Sequence, residues 1–102
     1  MIRHIVLAHL RADLTGVEVD KLFADILGML DKIPGILAVS IGENNSPEPL
    51  SRGYTHGFTV DFTDEAARDA YLPHLEHVRV ATNLVAATEG GADGILVLDY
   101  EV

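Results

Sequence analysis

An α+β fold with the element order β-α-β-β-α-β is what this 102-residue sequence predicts, and three observations carry it. Four short runs rich in Ile, Val, Leu and Phe, at 2–10, 36–43, 54–62 and 95–102, have the length and composition of strands. Two stretches between them repeat apolar residues every three or four positions, as a helix with one buried face requires. Proline, glycine and asparagine gather at the junctions between these segments.

The first strand, residues 2–10, alternates His4, Val6, Ala8 and Leu10 against Ile5, Leu7 and His9, so both of its faces are largely apolar. Thr15 with Glu18 three positions later has the spacing of a capping box, and starts the first helix. Val19, Leu22, Phe23, Ile26, Leu30 and Ile33 form its apolar stripe, and Pro34-Gly35 stops it. The second strand, "ILAVSIGE", runs into "NNSPEPLSRG", a loop by composition. In the third, "YTHGFTVDF", Tyr54, His56, Phe58, Val60 and Phe62 share one face. Thr63 or Asp64 caps a second helix that begins "DEAARDAYL". Pro73 interrupts it, since proline has no amide donor and biases Leu72 away from helical angles. Helical spacing resumes with Leu75, Val78, Ala81, Leu84 and Val85, and after the loop "TEGGADG" the last strand is "ILVLDYEV".

This order is the ferredoxin-like arrangement, a four-stranded antiparallel sheet with its helices on one face. The other face would be open. Yet Ile5 and Leu7 oppose Val6 and Ala8, and Leu96 and Leu98 oppose Ile95 and Val97, so the open face is apolar too. Each aliphatic side chain left in water forgoes about 1.5–3 kcal/mol of burial. Two sheets packed face to face remove the conflict, and a homodimer joined sheet to sheet, a dimeric α+β barrel, is the expectation.

One domain over residues 1–102 accounts for the length. Sixteen acidic side chains against seven basic ones give a formal charge of −9, which repels nucleic acid. Cysteine is absent, so disulfides, thiolate metal sites and cysteine nucleophiles are excluded. The first ten residues, interrupted by Arg3, His4 and His9, fit neither a signal peptide nor a membrane span, and a cytoplasmic location without membrane contact is expected. No phosphate loop, HExxH or GxSxG occurs, and Glu18, Asp20 and Asp25 read as a solvated helix face.

The remaining polar residues centre on "YLPHLEHV", residues 71–78. His4 and His56 lie on strand faces that look toward the helices, and are expected beneath Tyr71 and His77. A neutral histidine can take a proton from a ligand near working pH, and Tyr71 can donate to a developing enolate or phenolate oxygen. Leu22, Phe23, Ile26 and Phe58 would wall the pocket. A histidine on an apolar strand face is more often a satisfied core residue than a catalyst, and His9, on the opposite face, reads as structural. His74 and His77 have a helical metal-chelating spacing, but no third ligand is aimed at them, so no metal and no cofactor is expected.

Taken together, "RHIVLAHL", "IPGI", "GYTHGFTVDF", "YLPHLEHV" and "LVLDYEV" are similar, in that order and over nearly the whole chain, to the stress-responsive A/B barrel, or Dabb, family. The resemblance implies a dimeric α+β barrel. The family includes plant stress proteins that form very stable oligomers, bacterial proteins without an assigned activity, and a plant polyketide cyclase that works without cofactor. That cyclase uses a tyrosine and a histidine of a YxxHPxH motif, and the matching positions are Tyr71 and His77, with His74 between them. His4 and His56 match histidines of the family's pocket. Here proline precedes His74 instead of following it. The resemblance therefore implies first a homodimeric small-molecule-binding or stress-related module of unassigned activity, its ligand a small apolar or phenolic molecule. The alternatives are a cyclase-like enzyme, with His77 as general base and Tyr71 as donor, and a monooxygenase-like or haem-handling protein.

Overall fold

Alternation along β1 (Ile2–Ala8) divides the molecule into two sides: Ile2, His4, Val6 and Ala8 are buried, whereas Arg3, Ile5 and Leu7 are half-buried on the reverse face. The computed structural model describes residues 1–102. After β1 come α1 (Gly16–Lys32), β2 (Ile36–Glu43), β3 (His56–Phe62), α2 (Glu65–Tyr71), α3 (Leu75–Ala87) and β4 (Ile95–Glu101). The strands form one antiparallel sheet in the order β2-β3-β1-β4.

The predicted capping box is present at the start of α1. Thr15 Oγ1 accepts from the Glu18 amide at 3.2 Å, and the Glu18 carboxylate accepts from the Thr15 amide at 3.1 Å. Leu22, Ile26 and Met29 then turn one face of the helix into the core. Gly35 follows at φ +89°, and a Cβ there would lie 2.6 Å from Ala67 Cβ. Both the left-handed backbone and the close approach of α2 require glycine. Asp64 caps α2 by accepting from the Ala67 amide at 2.8 Å.

The ferredoxin-like core lies between the helices and one face of the sheet, with Val60, Phe62, Ile26 and Met29 at 0–1% exposure. The structure differs from the sequence reading at three boundaries. β1 stops at Ala8, and Leu10 forms only an isolated bridge to Thr88. A side chain distant in sequence intervenes: Thr55 Oγ1 takes the Leu10 amide at 3.1 Å, in place of a ladder partner. β3 starts at His56 rather than Tyr54. Residues 91–94 of the expected loop wind into one 3-10 turn, whereas the break at Pro73 into α2 and α3 is as expected.

On the reverse face the antiparallel register brings Ile5 beside Leu98, Leu7 beside Leu96 and Arg3 beside Tyr100. Leu96, Leu98 and Tyr100 are 42%, 55% and 47% exposed. Arg3 is held across the sheet by two bonds to Asp61, at 2.9 and 3.1 Å, which makes it a fixed polar rim to an otherwise apolar patch. No helix is long and apolar enough to cross a membrane.

Candidate functional site

The break between α2 and α3 builds the first part of the site. Pro73 has no amide to donate, so the helix cannot run through, and the main chain turns at Leu72-Pro73-His74. His74 becomes the N-cap of α3, its Nδ1 accepting from the Glu76 amide at 3.1 Å. The Leu72 carbonyl, released from helical pairing, instead accepts from His77 Nδ1 at 2.9 Å. That bond places the imidazole proton on Nδ1 and the lone pair on Nε2. Burial, reinforced by the nearby His4 and His74, holds the His77 pKa below the ordinary histidine value, against a smaller opposing effect of the Leu72 carbonyl. His77 is thus neutral near pH 7 with a free acceptor.

Tyr71, the last residue of α2, is 1% exposed. Its ring centroid lies 4.9 Å from that of Phe62, 5.7 Å from His4 and 4.0 Å from His77, the last ring tilted by 35°. The hydroxyl makes no hydrogen bond to the protein, and no fully buried side-chain polar atom in the molecule lacks a partner. The phenol oxygen therefore keeps some accessible surface. Burial first, and the charge of Asp99 second, raise the phenol pKa well above its usual value, so Tyr71 stays protonated and its hydroxyl hydrogen is available to donate.

His4 approaches from below, on β1. Pairing of β1 with β4 sets His4 opposite Asp99, and His4 Nδ1 lies 2.6 Å from Asp99 Oδ1. The second carboxylate oxygen, Oδ2, accepts from Arg68 Nη1 of α2 at 3.0 Å, and Arg68 Nε donates to Asp69 at 2.8 Å. His4 is 5% exposed, and its Nε2, like the Tyr71 hydroxyl, is unpartnered but not sealed. The sequence reading did not single out Arg68 or Asp99. The available signal was an acid on an apolar strand, but its meaning depends on the register with β1, which one strand alone does not disclose.

The expected single pocket is two separate places. His56 pairs with Ala8, two inward-facing positions beyond the Val60 that pairs with His4, or about 13 Å along the strand. Val6 and Phe58 fill the interval, both buried. His56 consequently does not sit beneath Tyr71 and His77. It packs edge-on against Phe23 at 5.5 Å, bonds Thr55 Oγ1 at 2.8 Å, and borders a hollow of about 540 Å³ with Leu7, Gly42, Gly57 and Leu96 on the reverse side. Leu22, Ile26 and Phe58 are packed core residues at 6%, 1% and 7% exposure. His74 has its Nδ1 committed to the main chain.

A groove of about 340 Å³ does begin at His77. Val78, Ala81, Thr82 and Val85 line it along the outer side of α3, and the Thr82 hydroxyl is spent on the Val78 carbonyl at 2.8 Å. The groove is therefore apolar except at its His77 end. No group of three or more His, Cys, Asp or Glu side chains is placed to hold a metal ion.

Comparison with known proteins bears on the family and the fold. A family model described as the stress responsive A/B barrel domain matches residues 2–102. The chain is 29% identical to the stress-response A/B barrel domain-containing protein HS1 of Arabidopsis thaliana, over 98% of this chain and 88% of that protein. A dimeric ferredoxin-like protein of unknown function from Jannaschia sp. CCS1 is 37% identical, superposes with a TM-score of 0.88, and is matched over 99% of this chain and 98% of its own. The crystal structure of At3g17210 from Arabidopsis thaliana gives a TM-score of 0.91 at 27% identity, over 100% of this chain and 95% of its own.

Proposed function

Since the chain belongs to the stress-responsive A/B barrel family, matched from residue 2 to residue 102, we propose that it works as a homodimer binding a small amphipathic molecule beside Tyr71. The ligand's oxygen-bearing head would meet the Tyr71 hydroxyl and the free Nε2 atoms of His77 and His4. Its apolar arm would lie in the groove along Val78, Ala81 and Val85. The observation that supports this is the set of three proton-exchanging atoms, all without a protein partner, gathered around one buried tyrosine ring. A hydroxyl held as donor and imidazole nitrogens held as acceptors match a phenol, an enol or a β-dicarbonyl compound, which presents both an acceptor oxygen and an acidic hydrogen. The dimer would form through the Leu96, Leu98 and Tyr100 face, and the Jannaschia relative's description as dimeric supports it.

A second reading, cofactor-free acid–base catalysis on such a molecule, is favoured by the opposed pKa shifts of Tyr71 and His77. Environments that push two neighbouring groups apart, one toward the neutral base and one toward the neutral acid, are those in which proton transfer divides between them. Titration of the protein with phenolic probes, followed by amide chemical shifts, tests the binding reading: shifts should map to α3 and the Tyr71 turn. Tyr71→Phe and His77→Ala should each weaken binding about 10-fold or more, the scale of losing one hydrogen bond to a buried polar group. If turnover accompanies binding, the same variants should cost about 10²-fold in rate. Shifts confined to other surfaces would remove the proposal.

A further inference from the structure

We infer that Asp99 and Arg68 are positioning residues that make His4, rather than His77, the proton acceptor of this site. The inference rests on the site reading just given and deepens it. Asp99 is gripped on both oxygens, by His4 Nδ1 at 2.6 Å and by Arg68 Nη1 at 3.0 Å, so the carboxylate cannot turn away from either. A carboxylate accepts only, and therefore His4 carries its proton on Nδ1 and keeps the lone pair on Nε2, on a ring whose centroid lies 5.7 Å from that of Tyr71.

The two histidines thus share a tautomer but differ in what stands behind the ring. Behind His77 is the neutral Leu72 carbonyl, and its other neighbours include two more imidazoles, His4 and His74. Behind His4 is a carboxylate. The charged groups around His4 are Asp99 from β4 and Arg68 with its partner Asp69 from α2; they sum to one net negative charge, and Tyr71 and His77 complete the surroundings as neutral groups. A proton arriving on His4 is balanced by that charge. A proton arriving on His77 is not. This is the arrangement by which an acid, a histidine and a reacting group are coupled in hydrolytic triads, where the acid fixes the tautomer and stabilises the imidazolium.

The step this permits is balanced without a cofactor. An acidic O–H or C–H of the ligand breaks, the proton goes to His4 Nε2, and the electron pair stays on the ligand as phenolate or enolate. Tyr71 donates its hydroxyl hydrogen bond to the new oxyanion, and return of the proton from His4 completes the exchange.

Two measurements test this. Nitrogen chemical shifts of the His4 ring in the unliganded protein should show a protonated Nδ1 and a bare Nε2, and Asp99→Asn or Arg68→Gln should mix the two tautomers. Finding the proton on Nε2 in the unaltered protein overturns the inference, whatever the protein binds. The second measurement uses para-nitrophenol, whose ionised form absorbs in the visible. The fraction of bound probe present as phenolate should fall about 10-fold further in His4→Gln than in His77→Gln, a difference equivalent to one pKa unit between bound states. A larger fall in His77→Gln assigns the base to His77 and overturns the inference. No binding of any phenolic probe, with the Nδ1-protonated tautomer intact, overturns the site reading instead. Should Asp99→Asn fail to fold, Arg68→Gln gives the same tautomer readout from a partly exposed position.

Discussion

At Tyr71 and His77 the environment acts in opposite directions on two adjacent acids, and pH exposes the difference. The His77 pKa is lower in the folded protein than its ordinary value of 6.5, chiefly through burial. The unfolded chain therefore binds its proton first as pH falls, and the stabilisation tied to neutral His77 is complete above about pH 6.5 and is lost as pH drops through the depressed folded value. Unfolding free energy measured by urea titration should decline across that window, and His77→Gln should flatten the decline; an unchanged slope would contradict the shift. Tyr71 and His77 were legible from one short segment, and His4 from its helix-side strand face and the family resemblance. Asp99 was not, because its partner lies across the sheet at a register that no local pattern encodes. His56 was misplaced for a related reason: sharing a face with Val60 does not reveal how many filled positions separate it from His4.

Among the elements, the α2–α3 break is the one whose geometry the site depends on. Replacing Pro73 by Ala restores an amide donor and a residue that favours helix by about 3 kcal/mol over proline. Its expected effect is a continuous helix, in which the Leu72 carbonyl returns to main-chain pairing and abandons His77 Nδ1. Such a protein should melt at the same or a higher temperature yet bind phenolic probes less well. Retained binding would mean that the turn does not aim His77. The break was readable from Pro73, as were the capping box at Thr15 and the stop at Gly35, since each depends on residues close in sequence. The ends of β1 and β3 were not, because the Leu10 amide is taken by the Thr55 hydroxyl, a contact across forty-five residues.

For the molecule as a whole, the proposed dimer rests on the reverse face of the sheet. Leu98→Asp places a charge in the middle of the exposed Leu96–Leu98–Tyr100 patch, where a packed partner would have to desolvate it. Sedimentation should then report monomers in place of dimers, while the inward-facing core and the Arg68–Asp99–His4 chain remain; a dimer of unchanged strength would place the contact elsewhere. The apolar character of both faces of β1 and β4 made this patch visible beforehand. The His4–Asp99 contact also has a consequence in time. It joins residues ninety-five apart, the first strand to the last. A ribosome emits His4 ninety-five residues before Asp99, so a nascent chain that has already formed all three helices still lacks the carboxylate partner of its histidine. Any chemistry that needs this pair begins only when β4 has left the exit tunnel and zipped onto β1.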